Sequence, residues 1–312
     1  MPVGNHAPMT EIFLGREAVG DGLRQRDLRR FYRSVFRGVH APKWAALTLQ
    51  DRTTAAWLAT DRTGVIAGIA ASALHGAEWV KDTEPIEVLA GDRRGQPGLI
   101  VRRDRIGDDE RTVIAGLPVT TPARTAFDLG RHLKRPEALA RMDALMRAAP
   151  YAVDDVQALA ARYGPVRGVR QLRELLPLVD AGAASLPESR LRLRLIDDGL
   201  PVPETQIAVY ADEGWLVGYL DMGWRGIKLA VEYDGDQHRT DRRQYVRDIR
   251  RLPLMESLGW EVVRVVKEDR PAEVLQRVRA AYLRLTDVET DDFAEVTRKN
   301  WPKREFGREG AA

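Results

Sequence analysis

The chain of 312 residues contains no cysteine. Disulfide bonds and thiolate metal sites are therefore excluded within it, a composition that fits a reducing cytoplasm. No apolar run approaches the roughly 18 residues that a membrane-spanning helix needs, and the N-terminus lacks the basic-then-apolar pattern of a secretory signal. We therefore expect a cytoplasmic protein with no membrane partner.

Several catalytic motifs are absent as well. The sequence contains no Gly-x-x-x-x-Gly-Lys phosphate loop, no Gly-x-Ser-x-Gly nucleophile elbow and no paired histidines at zinc-binding spacing. The formal net charge is only +3, so the total charge alone does not predict a nucleic-acid partner.

The length and the residue pattern predict an α/β protein with two or three domains. Hydrophobic residues make up 44% of the chain and charged residues 30%, which is typical of folded domains. Small residues without periodicity fill positions 181–187, and we place a domain boundary there. Beyond it we expect a helix, three strands, a helix, a strand and a final helix, with strands near 205–210, 216–222, 227–234 and 260–266.

Before this boundary the pattern predicts one or two short helices followed by a strand over Ser34–His40. A helix is expected over Thr48–Asp61, where apolar residues recur at helical spacing. Another helix should begin at Pro122 with Thr121 as its N-cap. Helices then dominate to about Val179.

Two arginine clusters stand out in the charge distribution. The first spans Arg24–Arg37 and is interleaved with aromatic residues, and the second spans Arg239–Arg251. Each is explained either as a solvated helix face or as a phosphate-binding surface, since the planar guanidinium suits phosphate. The candidate nucleic-acid contacts are Arg24, Arg29, Arg30, Arg33, Arg239, Arg242, Arg243 and Arg251. For Arg251 the alternative is an ion pair with Asp248 that braces the helix.

Three carboxylates are expected to converge near the end of one hairpin. A turn at Trp224-Arg225-Gly226 would place Asp221 almost opposite Glu232, and Asp234 on the same face as Glu232. Opposed like charges destabilise a strand pair, so such a pair calls for a compensating cation. Oxygen ligands of this kind favour Mg²⁺ or Mn²⁺, which predicts a metal site at Asp221 and Glu232.

Two further residues can contribute to this site. Glu188 shares a helix face with apolar residues, where a carboxylate is costly to bury without a partner; it is either an additional ligand or an exposed residue of the first helical turn. His238 lies in the loop after Asp234 and can hold or relay a proton at neutral pH. The candidate catalytic residues are therefore Asp221, Glu232, Asp234, His238 and Glu188.

Five segments in this region resemble the successive motifs of domain of unknown function 559. They are Ser-Leu-Pro-Glu-Ser-Arg (185–190), Val-Gly-Tyr-Leu-Asp-Met-Gly-Trp (217–224), Leu-Ala-Val-Glu-Tyr-Asp-Gly-Asp-Gln-His (229–238), Tyr-Val-Arg-Asp-Ile-Arg-Arg (245–251) and Leu-Gly-Trp-Glu-Val-Val-Arg-Val (258–265). That family is similar to Vsr mismatch endonucleases of the PD-(D/E)xK superfamily. The resemblance implies a restriction-endonuclease-like αβββαβ mixed sheet flanked by helices, with metal ligands Asp221 and Glu232.

The sequence departs from the superfamily pattern at two positions. Leu220 replaces the proline before Asp221, and Asp234 replaces the lysine that normally follows two residues after the glutamate. Such a lysine orients the attacking water, so Arg239, His238 or a second metal would have to substitute, or the site is inactive.

The first part of the chain resembles AbiE-type antitoxins of actinobacteria. The matching segments are Val-Phe-Arg-Gly-Val-His-Ala-Pro (35–42), Ile-Ala-Gly-Ile-Ala-Ala-Ser-Ala-Leu-His-Gly (66–76) and Gly-Leu-Pro-Val-Thr-Thr-Pro-Ala-Arg-Thr-Ala-Phe-Asp-Leu (116–129). The resemblance implies an α+β arrangement with a winged-helix-like DNA-binding region, a scaffold domain and a toxin partner. Together the two resemblances divide the chain into residues 1–45 (winged-helix-like), 46–180 (antitoxin-like), 185–286 (nuclease-like) and a flexible tail (287–312).

Three functions follow from these expectations. The first is a metal-dependent endonuclease that cleaves phosphodiester bonds with the help of Mg²⁺ or Mn²⁺. The second is a DNA-binding, antitoxin-like transcriptional repressor that keeps an inactive nuclease fold. The third is a structural scaffold in which the acidic residues only form salt bridges with neighbouring arginines.

Overall fold

A computed structural model describes residues 12–91, 93–235 and 251–286 of the chain. The chain divides into two compact units, residues 1–181 and residues 182–312. Both units combine helices with sheets, which confirms the predicted mixed α/β class. Among the described residues, no helix has the length and apolar character required to traverse a bilayer.

The N-terminal unit begins with a small antiparallel sheet in the order β1-β3-β2. Two short helices lie between β1 and β2 in the chain. The elements are β1 (Phe13–Leu14), α1 (Gly15–Gly20), α2 (Gln25–Phe31), β2 (Tyr32–Phe36) and β3 (Val39–Pro42). The single strand predicted over Ser34–His40 is wrong, because the chain reverses at Arg37-Gly38. Gly38 adopts a φ of 79° there, a left-handed conformation that glycine takes without steric cost.

A second, five-stranded sheet follows in the order β6-β5-β4-β8-β7. Its elements are α3 (Leu49–Ala59), β4 (Val65–Ala67), α4 (Gly68–Leu74), β5 (Ile86–Leu89), β6 (Leu99–Arg102), β7 (Arg111–Ile114) and β8 (Leu117–Thr120). The N-cap of α3 is a capping box, in which Thr48 and Asp51 satisfy each other's backbone amides. Leu14, Phe36 and Val39 of the first sheet lie in the same buried cluster as Ile66 and Val88 of the second. The segments predicted separately as 1–45 and 46–180 therefore pack around one core.

Four helices complete the N-terminal unit. They are α5 (Pro122–His132), α6 (Arg135–Ala148), α7 (Val153–Tyr163) and α8 (Val169–Leu175). The start of α5 is as predicted, because the Thr121 hydroxyl accepts a hydrogen bond from the Arg124 backbone N–H at 3.4 Å. The α5 helix is nearly enclosed, with Phe127 and Leu129 buried in the cluster that also holds Leu172 of α8.

The C-terminal unit is built on a mixed four-stranded sheet in the order β12-β11-β10-β9. Its elements are α9 (Leu186–Asp197), β9 (Glu204–Tyr210), β10 (Leu216–Trp224), β11 (Leu229–Asp234), α10 (described over 251–257), β12 (Glu261–Val266) and α11 (Pro271–Thr286). β11 and β12 are parallel, and the other pairs are antiparallel. One apolar cluster includes Leu195 and Val278, and a second includes Met255 and Trp260.

The close approach of α8 to the end of α5 depends on Gly168. Its φ is 81°, and a Cβ added there would lie 2.2 Å from the backbone oxygen of Arg131, which cannot rotate away. Gly116 has almost the same φ, 79°, but an added Cβ would meet nothing within 4 Å. The two glycines therefore separate the cost of backbone conformation from the cost of the contact.

We expect Gly116→Ala to lower the free energy of unfolding by about 1–2 kcal/mol, the cost of a left-handed alanine. Gly168→Ala should lower it by at least about 2 kcal/mol more, because the backbone of α5 has to shift. Urea unfolding of both variants measures the difference. Equal losses for the two variants would contradict the proposed role of the contact.

Candidate nucleic-acid interface and carboxylate cluster

The α2 helix has one apolar side and one strongly basic side. Leu28 is its buried residue, 7% exposed, and faces α1. Arg26, Arg29 and Arg30 are all exposed. They lie on one face of the helix, because residues three and four positions apart are neighbours on its surface. The helix therefore presents guanidinium groups to solvent from a backbone that its apolar side anchors.

The arginines of the first cluster differ in their partners. Arg24 donates to Asp27 at 2.8 Å, and Arg33 donates to the backbone oxygen of Ala45 at 2.8 Å. Arg29 and Arg30 pair with no carboxylate among the described residues. These two side chains thus keep their full positive charge available to an external anion.

The aromatic residues interleaved with this cluster serve two different purposes. Phe36 is only 3% exposed and belongs to the core. Phe31 is 52% exposed, and the Arg30 guanidinium lies 5.1 Å from its ring centroid. Trp44, which follows β3, is 73% exposed. Phe31 thus lies exposed beside the basic surface of α2, and Trp44 adds a second exposed ring in the same unit.

In the C-terminal unit, the hairpin of β10 and β11 has the register that the sequence predicts. Met222 pairs with Val231 and Trp224 with Leu229, so Asp221 and Glu232 occupy the next opposed positions. The Asp221 carboxylate accepts a hydrogen bond from the Tyr233 backbone N–H at 2.8 Å. The Asp221 carboxylate therefore lies between the two strands. It accepts the hydrogen bond that a backbone oxygen of β10 would otherwise accept from β11.

An arginine supplies a positive charge to Glu232. The Glu232 side chain is buried, 7% exposed, and accepts a hydrogen bond from Arg251 at 2.7 Å. Arg251, on α10, also donates to the backbone oxygen of Tyr219 at 2.5 Å. Its guanidinium, predicted as a nucleic-acid contact, is thus bonded within the unit and counters the charge of Glu232.

The other predicted carboxylates also have protein partners. Asp234 accepts a hydrogen bond from Arg264 of β12 at 2.5 Å. Glu188 is 8% exposed and accepts one from the Ala184 backbone N–H at 2.9 Å, so the expectation of an exposed first-turn residue is wrong. No three of Glu188, Asp221, Glu232 and Asp234 bring ligand oxygens within 4.8 Å of one another. His238, Arg239, Arg242, Arg243 and Asp248 lie outside the described residues.

A buried ionic network around α5 was not predicted from the sequence. Arg124, whose side chain is 1% exposed, pairs with Glu110 and, at 3.0 Å, with Asp128 of the next helical turn. The Tyr163 hydroxyl donates to Glu110 at 2.6 Å. Burial raises the pKa of the Asp128 carboxyl to about 6. The spacing of Arg124 and Asp128, four residues on one helix, was the available signal.

At the edge of this network, Asp104, Asp128 and His132 bring three ligand atoms within 4.8 Å of one another. Arg131, however, donates to Asp104 at 2.7 Å and contacts the His132 ring nitrogen Nε2 at 2.9 Å. The Arg131 guanidinium contacts both Asp104 and His132. An arginine thus provides the positive charge that a metal ion would otherwise supply to this cluster. The arrangement is an ion-pair network rather than a metal centre.

Comparison with known proteins relates part of this chain to a family of antitoxins. Residues 54–178 match the family model of the AbiEi antitoxin C-terminal domain, which confirms the predicted resemblance to AbiE-type antitoxins in this region. Arg124, Asp128 and the other members of the buried network all lie within this match.

Two uncharacterized proteins of Mycobacterium tuberculosis, from two strains, are each 36% identical to the chain over 203 residues. The aligned region covers 64% of this chain and 73% of each relative. The chain belongs to the same family as these mycobacterial proteins. No solved structure matches it.

The raised pKa of Asp128 predicts a specific pH dependence of stability. Between the ordinary value of 3.8 and about 6, the folded protein binds a proton that the unfolded chain releases, so the stability contributed by this group falls as the pH rises. Asp128→Asn removes this titration. The difference in stability between the variant and the unaltered protein should therefore shift in favour of the variant as the pH rises through this window, by at most about 3 kcal/mol.

Urea unfolding of both proteins between about pH 4 and pH 7 measures the effect, because every other titrating group is common to the two. A stability difference that does not change with pH would show that Asp128 keeps an ordinary pKa.

Proposed function

We propose that the protein is a DNA-binding, antitoxin-like transcriptional repressor. The supporting observation is the exposed arginine surface of α2, the second of two consecutive short helices that are followed by a two-stranded hairpin. This order of elements is that of winged-helix domains, in which the second helix enters the major groove. The match of residues 54–178 to an antitoxin family supports the same proposal.

The exposed side chains in this region suit both the charged and the apolar contacts of a DNA interface. No carboxylate of the described residues pairs with Arg29 or Arg30 and competes with phosphate oxygens or guanine edges, to which arginine binds in a bidentate manner. The exposed rings of Phe31 and Trp44 offer apolar contacts to sugars and thymine methyl groups. Because α2 packs on the core through Leu28, these groups are held in place before DNA arrives.

We expect the double variant Arg29→Ala/Arg30→Ala to bind duplex DNA from upstream of its own gene much more weakly. Each lost phosphate contact should reduce the slope of log affinity against log salt by roughly 0.9. Fluorescence anisotropy at several salt concentrations measures both quantities. Arg103→Ala, which removes an exposed arginine elsewhere in the same unit, is the matched control and should bind normally.

The repressor proposal fails if the unaltered protein does not bind duplex DNA. It also fails if the double variant and the Arg103→Ala control bind DNA equally well. As an antitoxin-like protein, the chain should in addition counteract a toxin partner, and co-expression with the product of a neighbouring gene tests that part separately.

A metal-dependent endonuclease is a second candidate, which the opposed positions of Asp221 and Glu232 favour. Both residues offer hard oxygen donors of the type that Mg²⁺ and Mn²⁺ prefer, with Asp234, Glu188 and His238 as auxiliary groups. A bound ion would activate water and stabilise the charge that develops on phosphate. Arg251, bonded to Glu232, provides a cation near the site in a sequence that lacks the usual lysine at position 234.

Under this second proposal, the purified protein cleaves DNA in Mg²⁺ or Mn²⁺. Asp221→Ala and Glu232→Ala should each abolish cleavage, because each removes a metal ligand, while circular dichroism shows a retained fold. Asp212→Ala, in the exposed turn between β9 and β10, is the matched control and should cleave normally. Absence of metal-dependent cleavage over a broad set of DNA substrates would leave the repressor as the better proposal.

A further inference from the structure

A cavity of about 430 Å³ lies in the N-terminal unit, and its lining shares Arg37 with the first arginine cluster. It is bounded by the turn between β2 and β3, the end of α3 and the segment between β5 and β6. Its volume falls within the range of roughly 300–1,000 Å³ that is usual for small-molecule sites. The cavity is therefore large enough for a ligand of nucleotide size.

The rim of this cavity is strongly basic. Its described lining includes four arginines and a single acidic residue, which is a net of three positive charges. The arginines are Arg16, Arg37, Arg93 and Arg94, and the acidic residue is Asp61. Guanidinium groups concentrated in this way around a concave surface favour a ligand with several negative charges.

Asp61 holds two of these arginines at the rim. Its carboxylate accepts a hydrogen bond from Arg16 at 2.7 Å and another from Arg93. Asp61 itself has a φ of 52°, a conformation that carries a cost for a residue other than glycine. Each guanidinium has five N–H donors, so one bond to Asp61 leaves Arg16 and Arg93 able to bind a ligand.

The other two arginines differ from Arg16 and Arg93 in their contacts. Neither Arg37 nor Arg94 forms an ion pair with a carboxylate among the described residues. The Gln96 side-chain oxygen accepts a hydrogen bond from the Arg37 backbone N–H at 2.9 Å. This bond ties the two loops together and leaves the Gln96 amide nitrogen as a further donor.

The inner wall of the cavity is apolar. Leu14, Leu58 and Leu99 contribute to it and are 4%, 6% and 3% exposed. A ligand that fills the cavity thus meets aliphatic side chains at one end and guanidinium groups at the other. Inorganic phosphate alone would leave the apolar wall without a partner.

We infer that this cavity binds a small ligand with two adjacent phosphate groups and a planar ring that packs against aliphatic side chains, the class to which nucleoside diphosphates belong. The charges match, since such a ligand carries roughly three negative charges at neutral pH, where the second pKa of a terminal phosphate is near 6. Arg37 and Arg94 bind phosphate oxygens directly. Arg16 and Arg93, held by Asp61, close the site around them.

Isothermal titration calorimetry of the full chain with ADP, inorganic pyrophosphate and adenosine tests this inference. We expect ADP to bind, pyrophosphate to bind more weakly, and adenosine to give no measurable binding. Arg37→Ala and Arg94→Ala should each weaken ADP binding about tenfold or more. Arg103→Ala, whose side chain lies outside the cavity lining, is the matched control and should leave ADP binding unchanged.

The proposal is overturned if neither ADP nor pyrophosphate binds at millimolar concentration, or if adenosine binds as tightly as ADP. A competition experiment with duplex DNA completes the test, because the DNA backbone offers the same phosphate oxygens as ADP. If duplex DNA displaces ADP and both arginine variants weaken DNA binding as much as ADP binding, the cavity belongs to the DNA interface instead. Circular dichroism of each variant establishes that the fold is retained.

Discussion

The N-terminal unit depends on one buried guanidinium, that of Arg124. Its partners are Asp128 in the same helix, Glu110 beside β7, the Arg105 backbone oxygen between β6 and β7, and the Tyr163 hydroxyl at the end of α7. Removing one member of a buried ion pair leaves an uncompensated charge and typically costs about 3–5 kcal/mol. The network therefore makes the packing of α5 specific, because apolar contacts alone would tolerate other orientations of this helix.

Local signals in the sequence predict much of the fold. Thr121 and Pro122 mark the start of α5 because a cap and a fixed φ act within a few residues. The β10–β11 register follows from a short turn and the two-residue period of strands. The hairpin at Arg37-Gly38 was missed, since its flanking residues read equally well as one continuous strand. Only the glycine at φ 79° distinguishes the two.

Partners that are distant in sequence could not be predicted in the same way. Opposed carboxylates at Asp221 and Glu232 correctly call for a positive charge, but the pattern does not say whether an ion or a side chain provides it. In the structure Arg251, from a helix 19 residues further along the chain, bonds Glu232. Likewise, the motif around Arg124 and Asp128 shows the similarity of this region to an antitoxin family. The burial of the two residues becomes apparent only when Glu110 and Tyr163 are seen beside them.

The shared core of the two sheets in the N-terminal unit has a mechanical consequence. Leu14, Phe36 and Val39 belong to the same apolar cluster as Ile66 and Val88. The strands on both sides of α2 are therefore fixed to the core of the five-stranded sheet. The strands that flank the basic helix therefore share a core with part of the segment that matches the antitoxin family. Loosening of the five-stranded sheet should therefore also loosen the strands that flank the arginine-bearing helix, because the two sheets share one core.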